Sequence, residues 1–371
     1  MNLRRSLRVI GVNLLVLGAG VTAVELGFGG WLDSTHLNRL NLTKDRKRVY
    51  DVRRLYPSAS GVAVSTRDRY GLRGSFGDPS RIGILTVGGS TTDQRFITDG
   101  ETWQDVLQAD FVAEGMQVFV ANAGVDGQST YGHIKDFDWW FPAIPGLKPG
   151  FVVFYVGIND FYRDEDYERD DLLGDGEGRR TLRRRLEEDS AIFHLFRTLK
   201  GMYQAEVVHK LGHESIDFPR VKWTDQPLIR DPEAVMRPRL AAYAERLRAL
   251  CARTRKMGAV PVFVTQPSRM YKLEPDRVLG AQKPFRYGDV QINGVDFHAM
   301  MKLLNDRTLA VCRSEGGIPI NLAEDLAFED REFYDFYHMT PAGAAKVGHY
   351  LFGKLSDPVR AAKGSAAEAR H

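Results

Sequence analysis

The segment FVVFYVGIND, residues 151–160, decides the fold of this chain of 371 residues. Residues 151–156 are all apolar, and Gly157 ends the run, which is the pattern of a strand with both faces buried. Strands of this kind belong to parallel sheets that helices cover on both sides. The segment therefore predicts an α/β protein in which the polar pair Asn159 and Asp160 follows the carboxyl end of a central strand.

Further strands and helices alternate on both sides of this segment. Apolar, β-branched runs predict the strands, and amphipathic spacing predicts the helices. The predicted strands are residues 82–87, 117–121, 151–156, 260–265 and 318–322. The predicted helices are residues 101–114, 130–141, 238–257, 297–314 and 340–355. This alternation predicts a mainly parallel sheet covered on both faces, in one domain spanning about residues 68–358.

Short polar segments stand where ligands of such sheets bind, beyond the carboxyl ends of the strands. Ser90 follows the first strand in a Gly-Gly-Ser-Thr turn, where an exposed hydroxyl can act as a nucleophile. Gly127 and Asn159 follow the next two strands, and a backbone or amide N–H there can donate to a developing oxyanion. Each segment taken alone is also compatible with an ordinary turn or a helix cap.

Asp335 and His338 add the remaining groups that acyl transfer needs. A carboxylate three residues before an imidazole can accept the Nδ1–H, which leaves Nε2 to take a proton from a serine. Ser90, His338 and Asp335 would then be the nucleophile, the base and its orienting group. Ser90, Gly127 and Asn159 would form the oxyanion hole. We expect no metal and no cofactor, because the sequence contains no ligand cluster at a diagnostic spacing.

Composition and charge narrow the remaining function classes. The 51 Lys and Arg residues nearly balance the 48 Asp and Glu residues, so the formal charge of +3 gives no reason to expect a nucleic acid partner. A hydrophobic fraction of 43% and a charged fraction of 27% argue against a disordered chain and a multi-span membrane protein. Cys251 and Cys312 are too few for a disulfide-dense scaffold, and whether they pair is left open.

The first 32 residues differ from the rest of the chain. After a start that contains three arginines, residues 9–32 form an apolar run in which Glu25 is the only ionisable side chain. A helix of this length crosses a hydrocarbon core of roughly 30 Å. We therefore predict a single transmembrane anchor, with a cleaved signal peptide or a buried core helix as alternatives. Residues 33–67 are expected to form a basic juxtamembrane linker.

Charge does not decide on which side of the membrane the catalytic domain lies, because basic residues flank the apolar run at both ends. We expect a periplasmic or otherwise extracytoplasmic catalytic domain, or a secreted one if the segment is a cleaved signal.

Two stretches interrupt the alternation of strands and helices. Residues 161–235 are densely charged at first and amphipathic later, which predicts an insertion that forms either a lid or a solvated excursion. Residues 266–295 contain three prolines and predict a second inserted loop. Residues 359–371 are expected to form a flexible tail.

The polar segments together resemble those of the SGNH hydrolases, the GDSL-type esterase and lipase superfamily. In chain order, the matching blocks surround Ser90, Gly127, Asn159 and Asp335/His338. The resemblance covers about residues 68–356 and implies a flavodoxin-like three-layer α/β/α sandwich and a serine esterase with the roles given above. One departure is Gly89, because the family usually has Asp before the serine.

Residues 70–74 and 99–103 resemble membrane-anchored bacterial members of this family, several of which are associated with exported polysaccharide. The resemblance implies an acyl ester substrate, with acetyl as the expected group and an extracytoplasmic carbohydrate as the expected carrier. The same triad would instead transfer the acyl group if a polysaccharide hydroxyl replaced water. A non-catalytic carbohydrate-binding or assembly component is the third alternative.

Overall fold

The computed structural model describes residues 3–28, 37, 40–163, 170, 172, 190–193, 195 and 213–368. The chain divides into two units, residues 1–40 with 173–208 and residues 41–172 with 209–371. Most of the predicted insertion at 161–235 lies outside the described residues, and its expected role as a lid or a solvated excursion stays a prediction.

The smaller unit contains helix α1, Leu3–Phe28. Its segment Val9–Phe28 has 20 residues and a mean hydropathy of 2.0, and 0% of it is buried. By length and composition this helix can cross a membrane, and a signal sequence has the same properties. Within this unit, the Glu25 carboxylate accepts hydrogen bonds from Ser190 Oγ at 2.7 Å and from the Ala191 N–H at 2.9 Å.

The larger unit contains all the strands of the described residues. They are β1 (Arg46–Asp51), β2 (Val62–Arg67), β3 (Ile82–Gly88), β4 (Phe119–Asn122), β5 (Phe151–Tyr155), β6 (Trp223–Thr224), β7 (Val260–Val264), β8 (Tyr271–Glu274), β9 (Arg277–Ala281), β10 (Phe285–Tyr287), β11 (Val290–Ile292) and β12 (Ile318–Ile320). The helices are α2 (Ser90–Asp93), α3 (Trp103–Ala113), α4 (Thr130–Lys135), α5 (Ile158–Tyr162), α6 (Pro232–Lys256), α7 (Gly294–Ser314), α8 (Leu322–Asp325) and α9 (Pro341–Glu368).

The central sheet has five parallel strands in the order β12-β7-β5-β3-β4. Counted along the chain within this sheet, the order is the 2-1-3-4-5 arrangement of flavodoxin-like folds, so the predicted fold class is confirmed. The order reverses between β3 and β5, and ligands of such sheets bind at that reversal. Ser90 and Asn159 follow these two strands.

Helices cover both faces of the sheet. All five residues of β5 are buried, as expected for a strand that is covered on both sides. Val153 and Tyr155 belong to a hydrophobic cluster that they share with α3 and α9. On the other face, where α6 and α7 contact the sheet, Phe154 stacks on Phe263 with 4.6 Å between ring centroids. The sheet therefore provides a rigid base for the loops at its carboxyl edge.

Two stretches that we expected to be irregular contain β-hairpins. Strands β1 and β2 pair antiparallel inside the expected linker at residues 33–67. Tyr50 and Tyr56 of this stretch pack in one buried cluster with Phe96, which follows the Ser90 helix. The stretch from residue 41 thus belongs to the larger unit. The expected loop at residues 266–295 forms the hairpins β8-β9 and β10-β11.

Two helices are longer than their sequence patterns predict. Helix α9 continues to Glu368, past the expected end at residue 355, and Val359 within it is only 3% exposed. The expected domain boundary at residue 358 therefore falls inside a helix. Helix α6 begins at Pro232, because Asp231 caps its first turn and Pro238 is accommodated inside it.

The two cysteines are free thiols inside the larger unit. Cys251 and Cys312 are both buried. Burial raises the pKa of Cys251 to about 12 and that of Cys312 to about 11. Thiols in this state are poor nucleophiles, so the structure assigns them to packing rather than to chemistry.

Candidate active site

The turn between β3 and α2 positions Ser90. Strand β3 ends at Gly88, Gly89 caps the next helix, and Ser90 is its first residue. The Ser90 Oγ lies 2.7 Å from Nε2 of His338. The structure thus brings the predicted nucleophile into direct hydrogen-bond contact with the predicted base.

Asp335 holds the other side of the His338 ring. Its Oδ2 is 2.7 Å from Nδ1 of His338, and its Oδ1 accepts the N–H groups of Tyr337 and His338 at 2.8 and 2.7 Å. Burial by itself raises the pKa of Asp335, but the hydrogen bonds and charge of His338 outweigh it, so the pKa is lowered. An ionised Asp335 places the proton of His338 on Nδ1 and leaves Nε2 as the acceptor for Ser90.

The predicted oxyanion donors lie near the turn that carries Ser90. Gly127 has a φ of 79°, a left-handed conformation that favours glycine. Within the described part of the chain, the backbone N–H groups of Ser90 and Gly127 have no acceptor. The Asn159 Nδ2 donates to the Gln128 carbonyl at 2.8 Å, which uses one of its two N–H bonds. The predicted donors are therefore gathered around one turn, with donor capacity left.

Gly89, the departure from the family pattern, leaves the space that Asn159 occupies. A Cβ atom at Gly89 would lie 2.2 Å from Nδ2 of Asn159 and 3.2 Å from the Gln128 carbonyl oxygen. Contacts at 2.2 Å are far inside the van der Waals limit, so any side chain at this position would displace the Asn159 amide. The absence of Asp before Ser90 is therefore coupled to the position of Asn159.

Buried polar groups fix the turn that carries Gly127. Gln128 donates from Nε2 to Asp136 at 3.0 Å, and its Oε1 lies 3.0 Å from Nδ1 of His133. The next residue, Ser129, donates its N–H to Asp170 at 2.7 Å. These side chains are at most 1% exposed, and such satisfied networks hold a backbone in one conformation.

Gln266 links the two helices that present Ser90 and Asn159. Its Nε2 donates to Thr91 Oγ1 at 2.7 Å, and its Oε1 accepts the Ile158 N–H at 2.7 Å. It is 1% exposed. Gln266 had no predicted role, although it directly follows the predicted strand 260–265 at the same edge of the sheet.

Arg73 supports the turn that follows the Ser90 helix. Its guanidinium donates to the carbonyls of Asp93 and Gln94 at 2.8 and 2.9 Å and to that of Ile97 at 2.5 Å. It also pairs with Asp99 at 2.6 Å. Arg73 and Asp99 belong to the two outer segments that resemble membrane-anchored members of the family, and the structure shows that these segments are bound to each other.

His213 is a further neighbour of the site that our sequence analysis did not identify. Its ring lies 4.5 Å from the His338 ring, and its Nδ1 is 3.2 Å from the Tyr334 hydroxyl. Burial, followed by the charge of His338, lowers the pKa of His213 to about 4. It is therefore neutral near pH 7 and adds no positive charge beside the base.

Among the described residues, one cluster has the composition of a metal site. Donor atoms of His213, Asp335 and His338 lie within 4.8 Å of one another. Both ring nitrogens of His338 already have hydrogen-bond partners in Ser90 and Asp335, so a cation would have to replace one of them. We assign the cluster to the Ser90 site.

The space beside Ser90 is narrow. A cavity of about 10 Å³ has Ser90 in its wall. We call it the Ser90 cavity, and its lining residues include Ser90, Arg95, Phe96, Asp126, His213, Tyr334 and His338. A volume of this size holds about one water molecule, so only a small group fits without movement of the walls.

Comparisons with known proteins identify the family to which this chain is similar. The model of the GDSL-like Lipase/Acylhydrolase family matches residues 86–346. The chain is also similar to the crystal structure of TesA, with 15% identity, a TM-score of 0.40, and coverage of 74% of this chain and 98% of that one. A search of curated proteins finds no match.

Two further solved structures are similar to this chain. One is the psychrotrophic esterase EstA from Pseudoalteromonas sp., at 12% identity and a TM-score of 0.39, covering 75% of this chain and 98% of that one. The other is a catalytic mutant of Axe2, an acetylxylan esterase from Geobacillus stearothermophilus, at 12% identity and a TM-score of 0.41. That likeness covers 74% of this chain and 96% of that one.

Proposed function

The chain belongs to the GDSL-like lipase/acylhydrolase family and is an ester-hydrolysing enzyme, and on this premise we propose that Ser90, His338 and Asp335 are its catalytic triad. The observation that supports the proposal most is the hydrogen-bond chain from Asp335 through His338 to Ser90, in which both links measure 2.7 Å. Serine hydrolases on unrelated folds use this geometry.

The mechanism follows from the positions of the protons. Nε2 of His338 takes the proton of Ser90 as Oγ attacks the ester carbonyl carbon. The tetrahedral oxyanion accepts hydrogen bonds from the N–H groups of Ser90 and Gly127 and from the Asn159 amide. His338 then gives its proton to the leaving alcohol, and an acyl-Ser90 remains. A water molecule, deprotonated by His338, releases the acid and restores Ser90.

We propose acetyl as the acyl group, because the Ser90 cavity of about 10 Å³ has no room for a long acyl chain. A second cavity, of about 1130 Å³ and lined by Tyr162, Phe285 and Tyr337 among others, does not include Ser90 among its lining residues. A long acyl chain would have to leave the Ser90 cavity to reach it. We propose that the ester is carried by an extracytoplasmic carbohydrate, because residues 70–74 and 99–103 resemble membrane-anchored bacterial members associated with exported polysaccharide. The apolar segment Val9–Phe28 is long enough for such an anchor.

Turnover of p-nitrophenyl acetate by the full-length chain in detergent tests the assignment. We expect hydrolysis by the wild-type chain, and a fall to the background rate in Ser90→Ala, since that variant has no nucleophile. p-Nitrophenyl octanoate should be the poorer substrate. Equal turnover by wild type and Ser90→Ala would remove Ser90 from the mechanism.

The same acyl-Ser90 could pass its acyl group to a sugar hydroxyl instead of water. To separate hydrolysis from transfer, the chain is incubated with an acetyl ester donor and with neutral or acidic oligosaccharide acceptors. The products are then identified by mass spectrometry. Acylated oligosaccharide would identify a transferase, and free acetate alone would identify a hydrolase.

A further inference from the structure

One face of the β1-β2 hairpin carries more positive charge than the described residues around it neutralise. In the antiparallel register Arg46 lies opposite Arg67, and Arg48 lies opposite Ser65. Because side chains alternate along a strand, these residues share one face, and Lys47 lies on the other. Like charges directly opposite each other destabilise a sheet. An arrangement of this kind is favourable when an anion lies between the arginines.

That face forms the wall of a cavity of about 260 Å³. We call it the arginine cavity, and its charged lining residues are Arg46, Arg48, Arg67, Arg95, Asp93 and Asp126. Among the described lining residues, four guanidinium groups against two carboxylates leave an excess of two positive charges. A concave site lined by charge of one sign focuses its field on ligands of the opposite sign.

The carboxylates of the arginine cavity are already engaged. Arg67 pairs with Asp93, and Arg95 pairs with Asp126 at 2.8 Å. Arg46 and Arg48 have no carboxylate partner within the described part of the chain; the neutral Tyr50 hydroxyl accepts a hydrogen bond from Arg48 at 3.4 Å. Among the described residues, no carboxylate therefore neutralises these two guanidinium groups.

The arginine cavity adjoins the Ser90 cavity. Arg95 and Asp126 line both. Asp93, whose carboxylate holds Arg67, is the last residue of the short helix that Ser90 begins. The Arg95–Asp126 ion pair thus lies between the arginine cavity and the Ser90 cavity.

We propose that the arginine cavity binds an oxyanion group on the alcohol part of the ester, so that the substrates are acyl esters bearing a carboxylate or a phosphate. The inference rests on the proposed function of Ser90. Guanidinium groups bind planar or tetrahedral oxyanions through two parallel hydrogen bonds, which suits both groups. A cavity of about 260 Å³ has room for one small charged unit, such as a uronate ring or a glycerol phosphate.

Ligand binding to the full-length Ser90→Ala chain tests the site without requiring catalysis. The probes are a galacturonic acid trimer, the same trimer with its carboxylates methyl-esterified, and glycerol 3-phosphate, each measured by isothermal titration calorimetry. We expect the charged trimer or glycerol phosphate to bind and the methyl-esterified trimer to bind at least about tenfold more weakly. Equal binding of both trimers, together with no binding of glycerol phosphate, would overturn the proposal.

Variants on the two faces of β1 locate the site. Arg46→Gln and Arg48→Gln should each weaken binding of the charged probe by about tenfold. Lys47→Gln removes the same charge from the opposite face of the strand and should leave binding unchanged. Arg48 is exposed, so its replacement keeps the fold even if the Arg46 variant does not. An equal loss of binding in Lys47→Gln would indicate general attraction to a basic surface and would refute binding in the arginine cavity.

Steady-state kinetics of chains that keep Ser90 tests whether the arginine cavity binds the substrate during the reaction. With acetylated galacturonate trimer, Arg48→Gln should raise KM about tenfold at an unchanged kcat, and the acetylated methyl-esterified trimer should show no such change. If Arg48→Gln instead weakens binding to vesicles of phosphatidylglycerol and leaves KM unchanged, the arginines serve membrane contact and the proposal fails. No acetate release from either trimer would count against the catalytic assignment of Ser90. The calorimetry would still show whether the arginine cavity binds an anion.

Discussion

At the level of single residues, the proposed chemistry depends on where a few atoms are held. His338 is fixed on one side by Asp335 and contacts Ser90 on the other, with 2.7 Å at each link. Asn159 is held over Gly89, where a Cβ would come within 2.2 Å of its amide. The departure at Gly89 and the amide of Asn159 therefore act as one unit, and this can be tested.

Gly89→Asp should reduce kcat by roughly the 10²–10³-fold expected for the loss of one oxyanion donor, because the new side chain displaces the Asn159 amide. Asn159→Ala should cause a similar loss. The double variant should be no worse than the worse single variant, since both changes remove the same donor. Rates with p-nitrophenyl acetate measure all three.

Gly353→Asp is a matched control, since a Cβ at Gly353 would meet no atom within 4 Å. It should keep wild-type turnover. Losses that multiply in the Gly89/Asn159 double variant, or a Gly89→Asp chain with full activity, would disprove the coupling.

Sequence patterns indicate the residues with proposed chemical roles better than the residues that position them. Ser90, Gly127 and Asn159 each follow a recognisable strand, so the topology of a parallel sheet brings them to one edge. Gln266 and His213 reach the site through contacts with residues far away in the chain. No local pattern encodes such contacts, and a lone Gln or His has many uses in a protein.

At the level of secondary structure, apolar strands were predictable and charged strands were not. The buried run of β5 has a clear pattern, whereas β1 reads Arg-Lys-Arg and resembles a basic linker. Its fold depends on Tyr50 and Val52, which pack in a small cluster with Phe96. The hairpins formed by β8 to β11 were hidden for a related reason, because their strands are only three to five residues long and Pro275 and Pro284 lie in the turns between them.

Arg73 is the side chain that attaches the segment before β3 to the turn behind Ser90. Arg73→Met should lower the free energy of unfolding by about 3 kcal/mol, because it leaves three backbone carbonyls and Asp99 without their buried donor. It should also lower kcat, since the turn after the Ser90 helix loses its support. Urea unfolding and p-nitrophenyl acetate turnover measure the two effects.

Arg69→Met is the control for Arg73→Met, because Arg69 is exposed and lies four positions earlier in the chain. Its effect on unfolding should stay within about 0.5 kcal/mol. Equal effects of the two replacements would mean that Arg73 does not support the turn.

At the level of the whole molecule, the stability of the fold should depend on the protonation of His213. The pKa of His213 falls from an ordinary value of 6.5 to about 4 in the folded chain, chiefly through burial. The unfolded chain therefore binds the proton more readily between these values. The free energy of unfolding should be highest above pH 6.5 and should fall as the pH drops from about 6.5 to about 4.

His213→Asn should make that fall shallower, because the replacement side chain does not titrate. Urea unfolding of both chains at several pH values between 4 and 7 measures the difference. The same slope in wild type and variant would show that His213 does not contribute to the acid sensitivity.

The most direct test of the account is the site of reaction with a fluorophosphonate, which labels activated serines covalently. After labelling of the full-length chain in detergent, digestion and mass spectrometry should place the adduct on Ser90. Ser90→Ala should carry no adduct, and His338→Gln should label far more slowly because the hydroxyl keeps its proton. An adduct on another residue, or equal labelling of the wild type and Ser90→Ala, would contradict the proposed triad.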